Sequence, residues 1–277
     1  MMNNHAQSVR TPPDEESPSP ADQGPAVSST RWWRRRWQWE LLMLVYAAYD
    51  GSRLFVNSKQ AQAQQHGEDL LHIERSLGLS PEHRINHVFA AHAWLGVPAD
   101  YIYATLHYIL TVVVLFWMWR SHRDHYRQAR TWLGLTTMLG VVGFVVFPTA
   151  PPRLLGAGFD FVDTLAQHAS IGWWGSGGGT PRGMAAVTNE YAAMPSLHVG
   201  WSLWCGLLIF RHCRSRTLRV LGLLYPVGIA AVVMGTANHY LLDCVAGVAV
   251  TLIGLWATAP VLRLADRVAL RLRPRRR

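Results

Sequence analysis

Long apolar runs separated by clusters of arginine limit this chain more than any other feature of its sequence. Six runs lie at roughly 37–56, 97–119, 132–150, 193–210, 220–237 and 240–262, each near the ~20 residues that a helix needs to cross a bilayer. The first is the weakest, since it contains Glu40, Asp50 and Arg53, of which Asp50 and Arg53 read as a structural pair. Half of the 277 residues are hydrophobic and only 16% are charged. No water reaches the bilayer core to satisfy a backbone, so such runs must be helical. The expected fold class is all-α, a polytopic membrane protein with six transmembrane helices.

A formal charge of +9 would suggest nucleic acid as the partner of a soluble protein. Here nineteen of the 26 basic residues fall at 31–36, at 120–130, at 211–219 and from Arg263 onward. With six spans all four clusters share one side, whereas the opposite loops carry only Lys59, Arg75, Arg84, Arg153 and Arg182. By the positive-inside rule both termini are cytoplasmic, and loops 57–96 and 151–192 face outward. Topology thus accounts for the charge, and no nucleic-acid partner is expected. Residues 1–30, rich in Pro, Ser, Asp, Glu and Gln, read as a disordered cytoplasmic tail without the apolar core of a signal peptide. Residues 31–265 read as the six-helix membrane domain, opening on the belt Arg31-Trp32-Trp33-Arg34-Arg35-Arg36-Trp37, and 266–277 as a basic cytoplasmic tail. The three cysteines, Cys205, Cys213 and Cys244, form neither a disulfide framework nor a zinc pattern.

The outer loops have structure of their own. Leu70, Leu71, Ile73, Leu77 and Leu79, then Ile85, Val88 and Phe89, predict short amphipathic helices broken at Ser80-Pro81 and lying on the membrane surface. His83 and His87 stand one helical turn apart, a spacing open to metal, but no third ligand is visible beside them. Gly177-Gly178-Gly179 reads as flexible loop.

Chemically capable residues distant in sequence share the outer depth. His198 ends Ala193-Met194-Pro195-Ser196-Leu197-His198 at the start of the fourth span. His239 and Asp243 open the sixth in Asn238-His239-Tyr240-Leu241-Leu242-Asp243. Arg153 follows the third in Phe147-Pro148-Thr149-Ala150-Pro151-Pro152-Arg153. Asp243, one turn after His239, is placed to hold its ring. A histidine so held can act as base or nucleophile, and a second as acid. Pro195 suits a first helical turn and Ser196 can satisfy a free amide there. Two helix N-termini, an arginine and two histidines would together receive a phosphate. A lone histidine at a helix end is more often an interfacial residue than a catalyst; the shared depth argues for a site. Asp100, Tyr103 and His107, at i, i+3 and i+7 of the second span, either line the same cavity or bond to neighbouring helices.

In these motifs the chain resembles the type 2 phosphatidic acid phosphatase superfamily of membrane phosphotransferases. Within it, the chain looks most like the branch containing inositol phosphorylceramide synthase and, more distantly, sphingomyelin synthase. Where the lipid phosphatases have Pro-Ser-Gly-His, this chain has Pro195-Ser196-Leu197-His198, the form of that branch; His-x-x-x-Asp is met by His239 and Asp243. The resemblance implies His239 as nucleophile, Asp243 as its orienting carboxylate and His198 as the acid for the leaving group. It implies no cofactor and no metal, a membrane lipid substrate and a small alcohol or water as acceptor. With the topology read from the arginine clusters, the expected location is the cell membrane, multi-pass, with the active site extracytoplasmic. Two departures stand out. Val232 and Val233 occupy the places of the phosphatases' Ser-Arg, and their Lys-x6-Arg-Pro motif has no clear match. Arg153 is the candidate for part of the missing charge, with Ser196, His107, Tyr103 and Asp100 as further substrate-binding candidates. Three alternatives remain open: a lipid phosphate or polyprenyl pyrophosphate phosphatase, a haem-binding electron carrier using His107, His198 or His239, and a non-catalytic scaffold.

Overall fold

The computed structural model describes residues 60–174 and 190–271. The run at 37–56 with Asp50 and Arg53, the basic belt, the N-terminal tail, the glycine run at 177–179 and the last six residues lie outside the described residues. Within them, helices α1 (Gln60–Ser76) and α2 (Pro81–Ala91) come first, and Pro81 opens α2 where the sequence placed the break. Then follow α3 (Ala93–Ser121), α4 (Arg123–Val146), α5 (Thr164–Gln167), α6 (Leu197–His212), α7 (Arg216–Gly235) and α8 (Leu241–Arg271). No strand occurs among the described residues; an isolated parallel bridge joins Thr149 to Ala192.

Helices α3, α4, α7 and α8 are long and apolar enough to cross a membrane. Their outward faces are apolar as well: Val112, Phe116, Leu224, Val227 and Trp256 are each more than half exposed. Surfaces of that extent belong against lipid, and the chain is a membrane protein. The run at 193–210 behaves differently. Its helix begins only at Leu197, because the chain bends at Met194 and Pro195 and Ser196 then caps the helix. Sixteen residues give about 24 Å, short of the ~30 Å hydrocarbon core. Helix α6 is the buried axis of the bundle, with Val199, Gly200, Trp204, Cys205 and Leu208 all enclosed. Close approach is secured by glycine: Gly206 meets the Gly222 backbone of α7, and Gly247 of α8 meets that of Ser196.

The bundle has two unlike ends. At one, Arg127 grips Asp266 bidentately (3.0 and 2.7 Å), tying the 120–130 linker to the end of α8. The rings of His122 and His125 lie 5.0 and 4.8 Å from that of His212, bringing the 211–219 linker to the same level. Three arginine-rich segments therefore share this end. At the other, α1 and α2 cover the helix termini. Leu70 and Leu71 pack on Tyr240, Phe147 and Leu155 and so are spent on the protein, whereas Ile73, Leu77, Leu79 and Val88 of the same helical region stay about half exposed or more. Asn86, fully buried, holds Val162 through both Oδ1 and Nδ2 of its amide (2.8 and 2.9 Å) and also donates to Gly235 O (2.9 Å).

Candidate active site

The covered end holds the histidines, and local backbone chemistry fixes them. Ser196 Oγ accepts from Val199 N at 3.4 Å, while Ser196 N donates to Asp243 O at 2.9 Å. The first turn of α6 is thereby stitched to the first turn of α8. Between α7 and α8 the chain reverses through Ala237, whose φ of 53° is left-handed. Asn238 N and His239 N then both donate to Val233 O (2.9 and 3.1 Å). Asp243, wholly buried, accepts Tyr240 N (2.9 Å) and His239 Nδ1 (3.3 Å) on Oδ2. His239 Nε2 in turn lies 3.4 Å from His198 Nδ1. Asp243, His239 and His198 form one continuous line of polar contacts.

Aromatic residues of α3 pack against its far end. Tyr103 stacks on His198 with ring centroids 4.6 Å apart, and His107 packs on it at 4.0 Å. Arg153 lies on the other side, beside the loop that carries His239. Its N–H donates to Ala237 O (2.9 Å), its Nε to Asn238 Oδ1 (3.0 Å) and its Nη1 to Asp163 Oδ2 (3.4 Å). Glu190 lies 4.0 Å from Nη2, beyond hydrogen-bond reach. Among the described residues two of the five guanidinium donors are thus engaged, and the head group is aimed by Asn238, a neighbour of His239.

Several expectations need correction. Asp100 does not join Tyr103 and His107. It is fully buried and accepts Thr164 Oγ1 (2.6 Å) and His168 Nδ1 (2.7 Å), anchoring the 164–168 segment. The reason is a π-helical stretch, Ile102–Leu106, which adds a residue to the turn and breaks the i, i+3, i+7 register. Ser196 is also fully buried, its hydroxyl spent on the cap, so it shapes the backbone and does not face a substrate. Pro195 precedes that cap instead of occupying the first helical turn. The N-terminus of α8 is not an open anion receptor either, because Asp243 takes Tyr240 N and Glu74 Oε1 takes Leu242 N at 2.6 Å. Val233 lies in an apolar cluster with Ile229, Met234 and Cys244, so no cation enters from the place where the phosphatases carry arginine.

Sequence reasoning missed Asn238, Asp163, Glu74 and Glu82. The last two had a signal. Glu74 falls on the same helical stripe as Leu70 and Leu71, and Glu82 on that of Ile85, Asn86 and Phe89, where an acid has no solvent. Both are completely buried and their carboxyls meet each other. Glu74 Oε2 and both Glu82 oxygens find no donor among the described residues. Two acceptor-only groups face to face require a shared proton, and burial pushes both carboxyls above the ordinary range.

A carboxylate on one nitrogen of His239, and a second histidine at the other, suits transfer of a group through a covalent histidine intermediate. A haem is poorly served, because His107, His198 and His239 are in direct ring contact and leave no slot for a porphyrin. No curated protein and no solved structure matches the chain. The model of one family does match, over residues 68–257, which takes in Arg153, both histidines and Asp243. The chain therefore belongs to the PAP2 superfamily, whose members act on phosphoesters.

Proposed function

We propose that this chain is a lipid phosphotransferase working at the extracytoplasmic face of the membrane, with six spans and both termini cytoplasmic. The inositol phosphorylceramide synthase-like form of the His198 motif favours transfer of a phosphoryl headgroup, such as inositol phosphate, from a lipid to an alcohol. One observation carries the reading: the line Asp243–His239–His198, at 3.3 and 3.4 Å, beside a buried and aimed arginine. The arginine-rich linkers at the opposite end of the bundle support the orientation.

In the proposed reaction the Nε2 lone pair of His239 attacks phosphorus while the bond to the leaving alcohol breaks. His198 gives that oxygen a proton. Asp243 accepts the Nδ1–H bond throughout and steadies the positive ring. In the second half, an alcohol or water loses its proton to His198 and attacks phosphorus, releasing His239. Donors of Arg153 stabilise charge on the equatorial oxygens. In-line displacement sets a geometric demand. The nucleophile approaches phosphorus at about 3 Å and the acid reaches the leaving oxygen at about 3 Å from the opposite side, so the two nitrogens must stand roughly 6–7 Å apart. They are 3.4 Å apart here. His198 consequently turns away from His239 when a phosphoryl group enters between them.

The test is to incubate purified protein with labelled phospholipids and polyprenyl phosphates, with and without inositol or other polyols. Acid-labile phosphate trapped on the protein should map to His239, and polyol-dependent product should form. Phosphate on His198, or turnover surviving in His239→Ala, would overturn the assigned roles. Release of free phosphate alone would replace the transferase with a phosphatase that uses water.

A further inference from the structure

The structure supplies the third ligand that His83 and His87 lacked in the sequence. Both histidines project from one face of α2, and Asp160, 73 residues beyond His87, comes to meet them. Asp160 Oδ2 lies 3.6 Å from His83 Nε2 and 3.2 Å from His87 Nε2. The ligand atoms of all three fall within 4.8 Å of one another. Ligands around a tetrahedral zinc at about 2.0–2.1 Å sit roughly 3.4 Å apart, so the carboxylate-to-imidazole spacings are already close to those of a coordination shell.

The backbone prepares this meeting. Asp160 closes the 3-10 turn Ala157–Phe159 with a φ of 57°, a left-handed conformation that aspartate tolerates. Asn86, between the two histidines on α2, fixes Val162 through two hydrogen bonds, its Nδ2 donating to Val162 O and its Oδ1 accepting from Val162 N. Phe161 meets the His83 ring edge-on at 5.5 Å. The carboxylate is therefore delivered by a segment pinned on its C-terminal side. At present His87 Nε2 is hydrogen-bonded to Asp160 O (3.0 Å), a contact that a metal would displace.

We propose that His83, His87 and Asp160 bind a late first-row transition-metal dication of the zinc class, which clamps the 157–160 turn to α2. Two imidazoles with one carboxylate suit zinc, and they disfavour calcium and magnesium, which take oxygen ligands. The side chains are accessible, His83 and His87 being 36% and 42% exposed, so the ion has a route in and a solvent molecule can complete the shell. The clamp lies close in sequence to Asp163, which holds Arg153, and so stiffens the segment that aims the arginine. The proposal is independent of the histidine roles given above.

The experiment uses full-length protein in detergent, purified without a polyhistidine tag and stripped with EDTA. Zn2+ is titrated calorimetrically and Co2+ by its visible absorption. The wild type should bind one Zn2+ at this site and show the intense bands of low-coordinate Co2+. His87→Ala and Asp160→Asn should each weaken binding more than about a hundredfold, beyond the ~10–100-fold effect of losing an outer-shell partner. His212→Ala controls for the histidine group at the basic end and should leave this binding unchanged. Zn2+ should also raise the melting temperature of the wild type and not of Asp160→Asn. Unchanged Zn2+ affinity in both variants, or a wild type that binds no Zn2+, would show a hydrogen-bonded cluster only and overturn the proposal.

Discussion

Alanine at Gly247 is expected to part His198 from the rest of the site without altering any residue of it. A Cβ there would overlap the carbonyl oxygen of Ser196 and lie 3.1 Å from its carbonyl carbon. Both are backbone atoms, so no rotamer change relieves the overlap. Restoring ordinary contact at 3.4 Å or more requires the start of α6 to retreat by about 1 Å. Ser196 caps the helix on which His198 occupies the second position, and Ser196 N is bonded to Asp243 O at 2.9 Å. The displacement therefore falls on the relation between His198 and the His239–Asp243 pair. A misplacement of ~1 Å costs catalysis about 10²-fold, or ~2.7 kcal/mol of barrier. The accompanying overpacking costs stability ~1–3 kcal/mol, partly offset by the ~1 kcal/mol that alanine gains over glycine in a helix. Gly228→Ala is the control, since nothing lies within 4 Å of a Cβ there and the substitution should only stabilise. Steady-state kinetics on the best substrate, with thermal unfolding in the same detergent, separates the two effects. Wild-type kcat in a folded Gly247→Ala would refute the claim that the α6–α8 distance sets the histidine geometry.

Four further outcomes are expected. His198→Ala should retain measurable turnover of an activated nitrophenyl lipid phosphate but little with a natural alcohol leaving group, since a general acid matters less when the leaving group is good; equal losses on both would remove the acid role. Arg153→Lys should keep part of the activity and Arg153→Ala almost none, because lysine lacks the planar fork and would also leave Asn238 and Asp163 poorly paired; normal turnover in Arg153→Ala would make the arginine a structural anchor. Glu74 has its carboxyl raised by burial, so the folded chain holds a proton that the unfolded chain has lost. Its stability contribution is full at acid pH and is lost as pH rises from the ordinary carboxyl range into mildly alkaline values. Glu74→Gln should therefore gain melting temperature over the wild type as pH rises, and parallel melting curves across pH would contradict the shared proton. Labelling of a single cysteine at Ser176 should occur in intact cells, and labelling only after permeabilisation would invert the topology.

Membrane residence was legible in the chain because it follows from run length and charge distribution, both one-dimensional quantities. The partnership of His239 with Asp243 was legible for a similar reason, being a matter of one helical turn. Separation in sequence hid other features. Glu74 and Glu82 sit eight residues apart on two helices, and their signal, an acid on an apolar stripe, is meaningless until something covers that stripe. Asp163 and Asn238 reach Arg153 across 10 and 85 residues, and Asp160 comes to His87 across 73 residues. Asp100 went astray through one π-turn, which an ideal 3.6-residue period cannot anticipate. The start of α6 lies four residues beyond the start of its apolar run, because hydropathy does not register the cap that Ser196 forms. Composition and local spacing determine which residues leave water and which near neighbours meet. Only tertiary packing decides which distant groups share a site, because those contacts depend on where whole helices lie and not on the period of any one of them.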